Sequence, residues 1–159
     1  MTQHSPRTIG FADDEIQTGE STRNARLKWV VIVDASLPAG RQVNAAVCVA
    51  AATAAEVTGI LGPGGVDAAE GTHPGLPWAG CSILSATADE LAAIREKAAN
   101  AEDMFLADMP AAAQETRVYD EYLAELATTA PENLRAFALS IVGPKNAVAR
   151  LVKKLPLLA

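Results

Sequence analysis

A chain of 159 residues with 13 Lys and Arg against 19 Asp and Glu has a formal charge of −6, which counts against a broad nucleic-acid surface, because phosphate binding relies on clustered cations. Hydrophobic residues make up 50% and charged residues 20%, a balance that excludes wholesale disorder and a fibrous protein and suits one core. No apolar run reaches the ~20 residues that cross a bilayer and the first residues carry no leader-type apolar segment, so a cytoplasmic protein with no membrane partner is expected.

Residues 1–26 are polar, with scattered charges of both signs and no sustained period, which marks an arm ahead of a single α/β domain over 27–159. Within the arm, Phe11 and Ile16 flank Asp13-Asp14-Glu15, the pattern of a short helical turn pinned by two apolar contacts. Trp29 to Val33 is an unbroken apolar run that reads as a strand covered on both faces. Asp34 closes it, and Pro38 and Gly40 make a turn. From there Val43, Ala46, Val47, Ala50, Ala54 and Val57 recur at intervals of three and four, the period of a buried helix face.

Four glycines and a proline between Gly59 and Gly65 predict a turn-rich link, and Val66-Asp67 with Glu70 to Gly75 a short hairpin or irregular excursion. Cys81 to Leu84 reads as a strand. Thr87 or Asp89 caps the next helix, whose face is Leu91, Ile94 and Ala98 and which ends near Asn100. Met104 to Ala107 is a short strand with Asp108 at its end, before Met109-Pro110. Ala111 to Thr128 reads as mostly helical, with Val118, Tyr122 and Leu126 on one face, and it stops before Pro131. Phe137 to Val142 is the last strand. After Gly143-Pro144 a final helix presents Ala147, Val148, Leu151, Val152 and Leu155. This alternation predicts a three-layer α/β/α sandwich around a mixed, mostly parallel sheet of about four or five strands.

Asp34 and Asp108 each follow a buried strand, where an aspartate either ties down the next turn or lines a ligand site at a strand end. If both faced one pocket, each would raise the other's pKa and an acid or base could result. Ser36 and Asn44 sit at the same expected position, Asn44 in the first turn of its helix, with Arg41 three residues earlier. His73, the one histidine outside the arm, lies in a tight loop between Gly71 and Pro74-Gly75. Gln114 stands about one and a half turns beyond Asp108, on the following helix. A lone histidine makes a metal site weak, since zinc takes about three or four protein ligands, and no cofactor motif or covalent nucleophile motif is present. Cys48 and Cys81 lie in apolar surroundings without metal or disulfide spacing and read as buried free thiols. Lys145, Arg150, Lys153 and Lys154 read as the solvated, cation-favouring end of the last helix, with a local anion or RNA contact as the other reading.

Four separated stretches, KWVVIVDASLPAGRQVNAAVCVA, GTHPGLP, DMPAAAQ with VYDEYLAEL, and LSIVGPKNAVARLVKKLPLL, together resemble the family known as domain of unknown function 2000. That family is similar in fold to the type 2 peptidyl-tRNA hydrolases, so the resemblance implies a fold of that type. It implies little of the activity. Those hydrolases carry a lysine in the turn before an Ala-Ala-Gln-Cys-x-His stretch, where this chain has Arg41 and then Val47 and Ala50 in place of the glutamine and histidine. Asp108 matches their aspartate, and Thr116 lies further on than their threonine.

The polar residues at predicted strand ends, loops and helix starts point first to a hydrolase or transferase acting on a small acyl, amide or aminoacyl compound. His73 or Asp108 is then the acid or base and Asn44 a positioning or oxyanion donor, while Asp34, Ser36, Arg41 and Gln114 bind the ligand. The alternative is a non-catalytic protein that binds a small metabolite, and behind both stands a peptidyl-tRNA hydrolase. The alanine-rich helix face and the arm suit a homodimer.

Overall fold

Val30 to Val33 are each exposed by 1% or less, because the strand that carries them has a neighbour on either edge and helices on both faces. The computed structural model describes residues 8–159. In chain order the elements are β1 (Leu27–Asp34), α1 (Ala39–Glu56), β2 (Gly65–Val66), β3 (Thr72–His73), β4 (Ser82–Ala86), α2 (Ala88–Ala99), β5 (Phe105–Pro110), α3 (Ala111–Glu115), α4 (Tyr119–Thr128), β6 (Ala136–Pro144) and α5 (Lys145–Leu151). The main sheet runs β4-β1-β6-β5, and β2 and β3 form the expected small hairpin.

Four strands fit the expectation; their directions do not. β1 and β4 are parallel, with Val30 opposite Ser82. β6 is antiparallel to β1, with Val31 opposite Ser140, and to β5, with Leu139 opposite Asp108. The sheet is mixed and mostly antiparallel; its directions were not legible in the sequence because a strand buried on both faces has the same apolar run in either direction. The path through α3, α4 and the Pro131–Asn133 turn sets the direction of β6.

On one face Ala45 and Val49 of α1 pack against Leu27, Val31, Val33, Phe137 and Val142. On the other, Leu91, Ile94 and Ala98 of α2 and Val148 of α5 cover Val30, Ile32, Leu139 and Ile141. Burying a side chain such as Leu91 stabilises the fold by roughly 1.5–3 kcal/mol. As the sequence predicts, Thr87 caps α2: its hydroxyl accepts from the Glu90 N–H, while the Glu90 carboxylate accepts from the Thr87 N–H at 2.9 Å.

α1 occupies the expected residues but is rotated about its axis. Its buried positions are Ala45, Val49 and Thr53, whereas Val43 and Val47 are 59% and 60% exposed. Alanine on almost every side leaves the apolar period with little phase, and a polar contact decides it, since Thr53 Oγ1 lies 2.6 Å from Ser140 Oγ of β6. The rotation leaves Cys48 in solvent. Cys81 is exposed too, so both thiols are free but neither residue is buried as expected.

The predicted long helix after Pro110 is two. Thr116 turns extended, at φ −97° and ψ 157°, and its hydroxyl donates to the Ala112 carbonyl at 2.8 Å, which ends α3. Val118, expected on the covered face, is 51% exposed. β5 runs on to Pro110, so Asp108 lies within the strand and not after it.

The arm is fastened where its apolar residues predict. A single 3-10 turn, Asp13–Glu15, sits between buried Phe11 and half-buried Ile16. The Phe11 N–H donates to the Thr58 carbonyl at 2.9 Å, and its ring lies 4.8 Å from that of Trp78, whose Nε1 donates to the Gly59 carbonyl at 2.8 Å. Gly59 has φ 69° and passes so close that a Cβ there would stand 2.7 Å from the Phe11 carbonyl oxygen. Residues 1–7 of the expected arm lie outside the described residues. No helix among the described residues is long and apolar enough to cross a membrane.

Candidate functional site

The end of β1 is where the sequence predicts a site, and Asp34 is fully buried there. Its Oδ1 accepts from the Ser36 N–H at 2.8 Å and the Ser36 hydroxyl at 2.6 Å; its Oδ2 accepts from Arg135 Nη2 at 3.0 Å. Burial acts to raise the pKa of this carboxyl, but the bonds from Ser36 and Arg135 outweigh it and hold the group below the usual carboxylate range. Asp34 is therefore ionised at neutral pH, and both its oxygens are engaged by the turn and by the approach to β6.

Arg41, Asn44 and Gln114 meet. The Gln114 amide oxygen accepts from Arg41 Nε at 2.8 Å, and its Nε2 donates to the Arg41 carbonyl at 2.9 Å and to Asn44 Oδ1 at 3.0 Å. Both amide hydrogens are used, which locks the first turn of α1 to α3. The guanidinium groups of Arg41 and Arg135 lie 4.9 and 5.1 Å from the centroid of the Phe137 ring. Through Arg135 and Phe137, which the sequence reading did not single out, five of the predicted residues become one connected polar group. The signal available for Arg135 was a cation placed directly before a strand that is apolar but for Ser140.

Asp108 and His73 are elsewhere. The Asp108 carboxylate pairs with Arg95 Nε of α2, and β6 separates its strand from that of Asp34. The two aspartates thus answer to different arginines on different elements. His73 lies on the exposed β2–β3 hairpin, its Nε2 3.1 Å from Asp67 Oδ2. That bond and those from the Gly71 and Ala69 N–H groups lower the pKa of Asp67. Among the described residues no three His, Cys, Asp or Glu side chains gather as a metal-binding group.

What Asp108 does line is a cavity of ≈ 660 Å³, whose walls are Cys48 and Val49 of α1, Asp108 and Met109 of β5, and Thr116, Tyr119 and Tyr122 around the start of α4; ligand sites are commonly of about this size. The two tyrosine rings stand edge to face, 5.4 Å between centroids and 74° apart. Burial, then the neighbouring Tyr119 and Asp108, raise the pKa of the Tyr122 phenol, which keeps its proton. Of these residues only Asp108 was singled out from sequence as a site residue.

The family described as protein of unknown function (DUF2000) matches residues 27–159. The chain belongs to the DUF2000 family. No curated protein matches it. A solved structure of a protein of unknown function from Agrobacterium tumefaciens is similar at 14% identity with a TM-score of 0.78, over 84% of this chain and 98% of that one. At that identity the likeness concerns the fold alone.

In chemical terms this DUF2000 chain offers two different surroundings. At the end of β1 the Asp34 carboxylate and the Gln114 amide are satisfied within the protein, an arrangement that holds elements together. Beside β5, Asp108 keeps 24% of its side chain exposed, near a hydroxyl, a thiol and two phenols against an apolar wall. Cavities that hold small molecules are in general lined by such a mixture of apolar wall and a few polar groups.

Proposed function

We propose that this DUF2000 protein binds a small metabolite without transforming it, in the cavity between α1, β5 and α4. The observation that carries the reading is the shared lining of one ≈ 660 Å³ space by Asp108, Tyr122 and Thr116, while Asn44 and His73 are engaged elsewhere by Gln114 and Asp67. The ligand that fits has an apolar or aromatic body for the tyrosines and a hydrogen-bond donor for the acceptor capacity that the Asp108 carboxylate keeps beside its pair with Arg95.

Thermal-shift screening of metabolite mixtures, with the hits recovered and quantified, tests this. The expected result is a ligand that raises the melting temperature, is recovered intact, and loses affinity about tenfold or more in Asp108→Asn and Tyr122→Ala. Unchanged affinity in both variants would remove the cavity from consideration. Consumption of the ligand, abolished by Asp108→Asn, would instead establish the hydrolase or transferase reading, which rests on Asp108 and the Thr116 hydroxyl lining the same space. Peptidyl-tRNA hydrolysis rests on Asp108 alone among the matching polar positions.

Exposed Val43, Val47, Val118 and Leu123 on α1 and around α4 support the accompanying proposal of a homodimer. Light scattering giving a monomer mass across concentration would end it.

A further inference from the structure

At the opposite end of β1 from Asp34 lies a second cavity of ≈ 390 Å³, lined by Arg23, Lys28 and Lys145, by Thr22 and Ser82, and by Trp29 among others, with no Asp or Glu in its wall. In a chain of net charge −6 this gathering of three cations is the exception. Like charges brought together repel, and the cost falls when an anion enters between them. Among the described residues the ion pairs involve Arg26, His73, Arg95 and Arg135, none of these three.

The cations come from separate parts of the chain and are held in place by backbone. Lys28 sits in the β1 ladder opposite Gly143. Arg23 belongs to a 3-10 turn capped by Ser21. Lys145 opens α5, where its N–H donates to the Arg26 carbonyl at 3.0 Å and its Nζ to the Arg23 carbonyl. Two point charges and a planar guanidinium, with two hydroxyls beside them, suit a compact dianion with several acceptor oxygens. The volume falls near the lower end of ligand cavities, roughly 300–1,000 Å³, which admits a small molecule.

We propose that this cavity binds a phosphorylated small molecule, its phosphate held by Arg23, Lys28 and Lys145. The site is independent of the cavity beside Asp108, and neither reading needs the other. It also divides the C-terminal basic cluster, since Lys145 faces this cavity while Arg150, Lys153 and Lys154 are not in its wall.

Calorimetric titration of the whole chain at low salt, with inorganic phosphate, pyrophosphate and glycerol phosphate as probes and succinate at matched ionic strength, tests the proposal. The expected result is binding of at least one phosphate probe in preference to succinate, weakened by added salt. Affinity is expected to fall about tenfold or more in Arg23→Gln and Lys28→Gln, and to hold in the Lys153→Gln, Lys154→Gln double variant. Arg23 lies on an exposed turn, so its variant decides the matter if Lys28→Gln fails to fold by circular dichroism. Binding of no phosphate probe, succinate binding as tightly, or wild-type affinity in Arg23→Gln would each overturn it.

Discussion

Ser140 Oγ and Thr53 Oγ1 lie 2.6 Å apart, fully buried between β6 and α1. The Thr53 hydroxyl donates to the Val49 carbonyl at 2.7 Å and Trp29 Nε1 donates to Ser140 Oγ at 2.8 Å. The remaining proton is therefore that of Ser140, donated to Thr53. One directed chain runs from β1 through β6 into α1, and it fixes which side of the alanine-rich helix meets the sheet. Ser140→Ala leaves the Trp29 N–H without its acceptor and should destabilise the fold by about 1–3 kcal/mol. Urea unfolding checks this, and pairing Ser140→Ala with Thr53→Val should cost less than the sum of the two single changes.

Asp34→Asn should change the acid limb of stability. The folded pKa of Asp34 lies below its ordinary value of 3.8, so the unfolded chain takes up its proton first as pH falls. The contribution of Asp34 is complete above about pH 4–5 and is lost as pH falls through the folded value. With Arg135 half exposed, the loss at pH 7 in Asp34→Asn should be modest, on the order of 1–2 kcal/mol. Urea midpoints from pH 7 down to about pH 3 should fall less steeply in the variant than in the wild type.

Acid should also release the arm. The Arg26 guanidinium, then the Ala12 N–H, hold the Glu15 carboxyl at about 2 instead of 4.5. The fastening is present above about pH 4.5 and is lost as pH falls toward 2. Because Phe11 packs on Trp78, tryptophan fluorescence should report an acid release in wild type that is missing from Glu15→Gln, whose uncharged amide does not titrate and whose arm is already loosened at neutral pH. Coincident acid transitions in the two proteins would count against the link.

The two cysteines should differ in reactivity. Desolvation of the sulfur pushes the Cys81 thiol up to about 12 although the residue as a whole is exposed, so ionisation and not access sets its rate. Cys48 stands exposed on α1. Because the thiolate is the nucleophile, iodoacetamide at pH 8 should label Cys48 well before Cys81, as peptide mapping of a time course would show. Cys48 lies in the cavity beside Asp108, so a ligand bound there should slow its labelling.

Much of the fold was legible in the residues themselves. The covered strand at Val30 to Val33, the Thr87–Glu90 cap, the Phe11–Ile16 fastening and the Thr72–His73 hairpin arm all follow from local chemistry. The candidate site was legible only in pieces: Asp34 with Ser36, and Arg41 with Asn44, are neighbours in sequence and remain so in space. That Asp108 pairs with Arg95 and lines one cavity with Tyr122 and Thr116, and that His73 stands apart on a hairpin, could not be read from spacing.

By itself the sequence determined the order and approximate place of the strands and helices and which central strands are covered on both faces, because propensity, caps and apolar periods act within a few residues; the break between α3 and α4 and the extension of β5 to Pro110 it did not. Tertiary structure alone decided the direction of β6, the rotation of α1 and the membership of each cavity. The contacts responsible join residues far apart in the chain: Trp29 to Ser140 across 111 positions, Asp34 to Arg135 across 101, and Arg41 to Gln114 across 73. A helix such as α1, with alanine on nearly every side, carries too little phase in its own sequence to choose its face, and a hydroxyl on β6 chooses it.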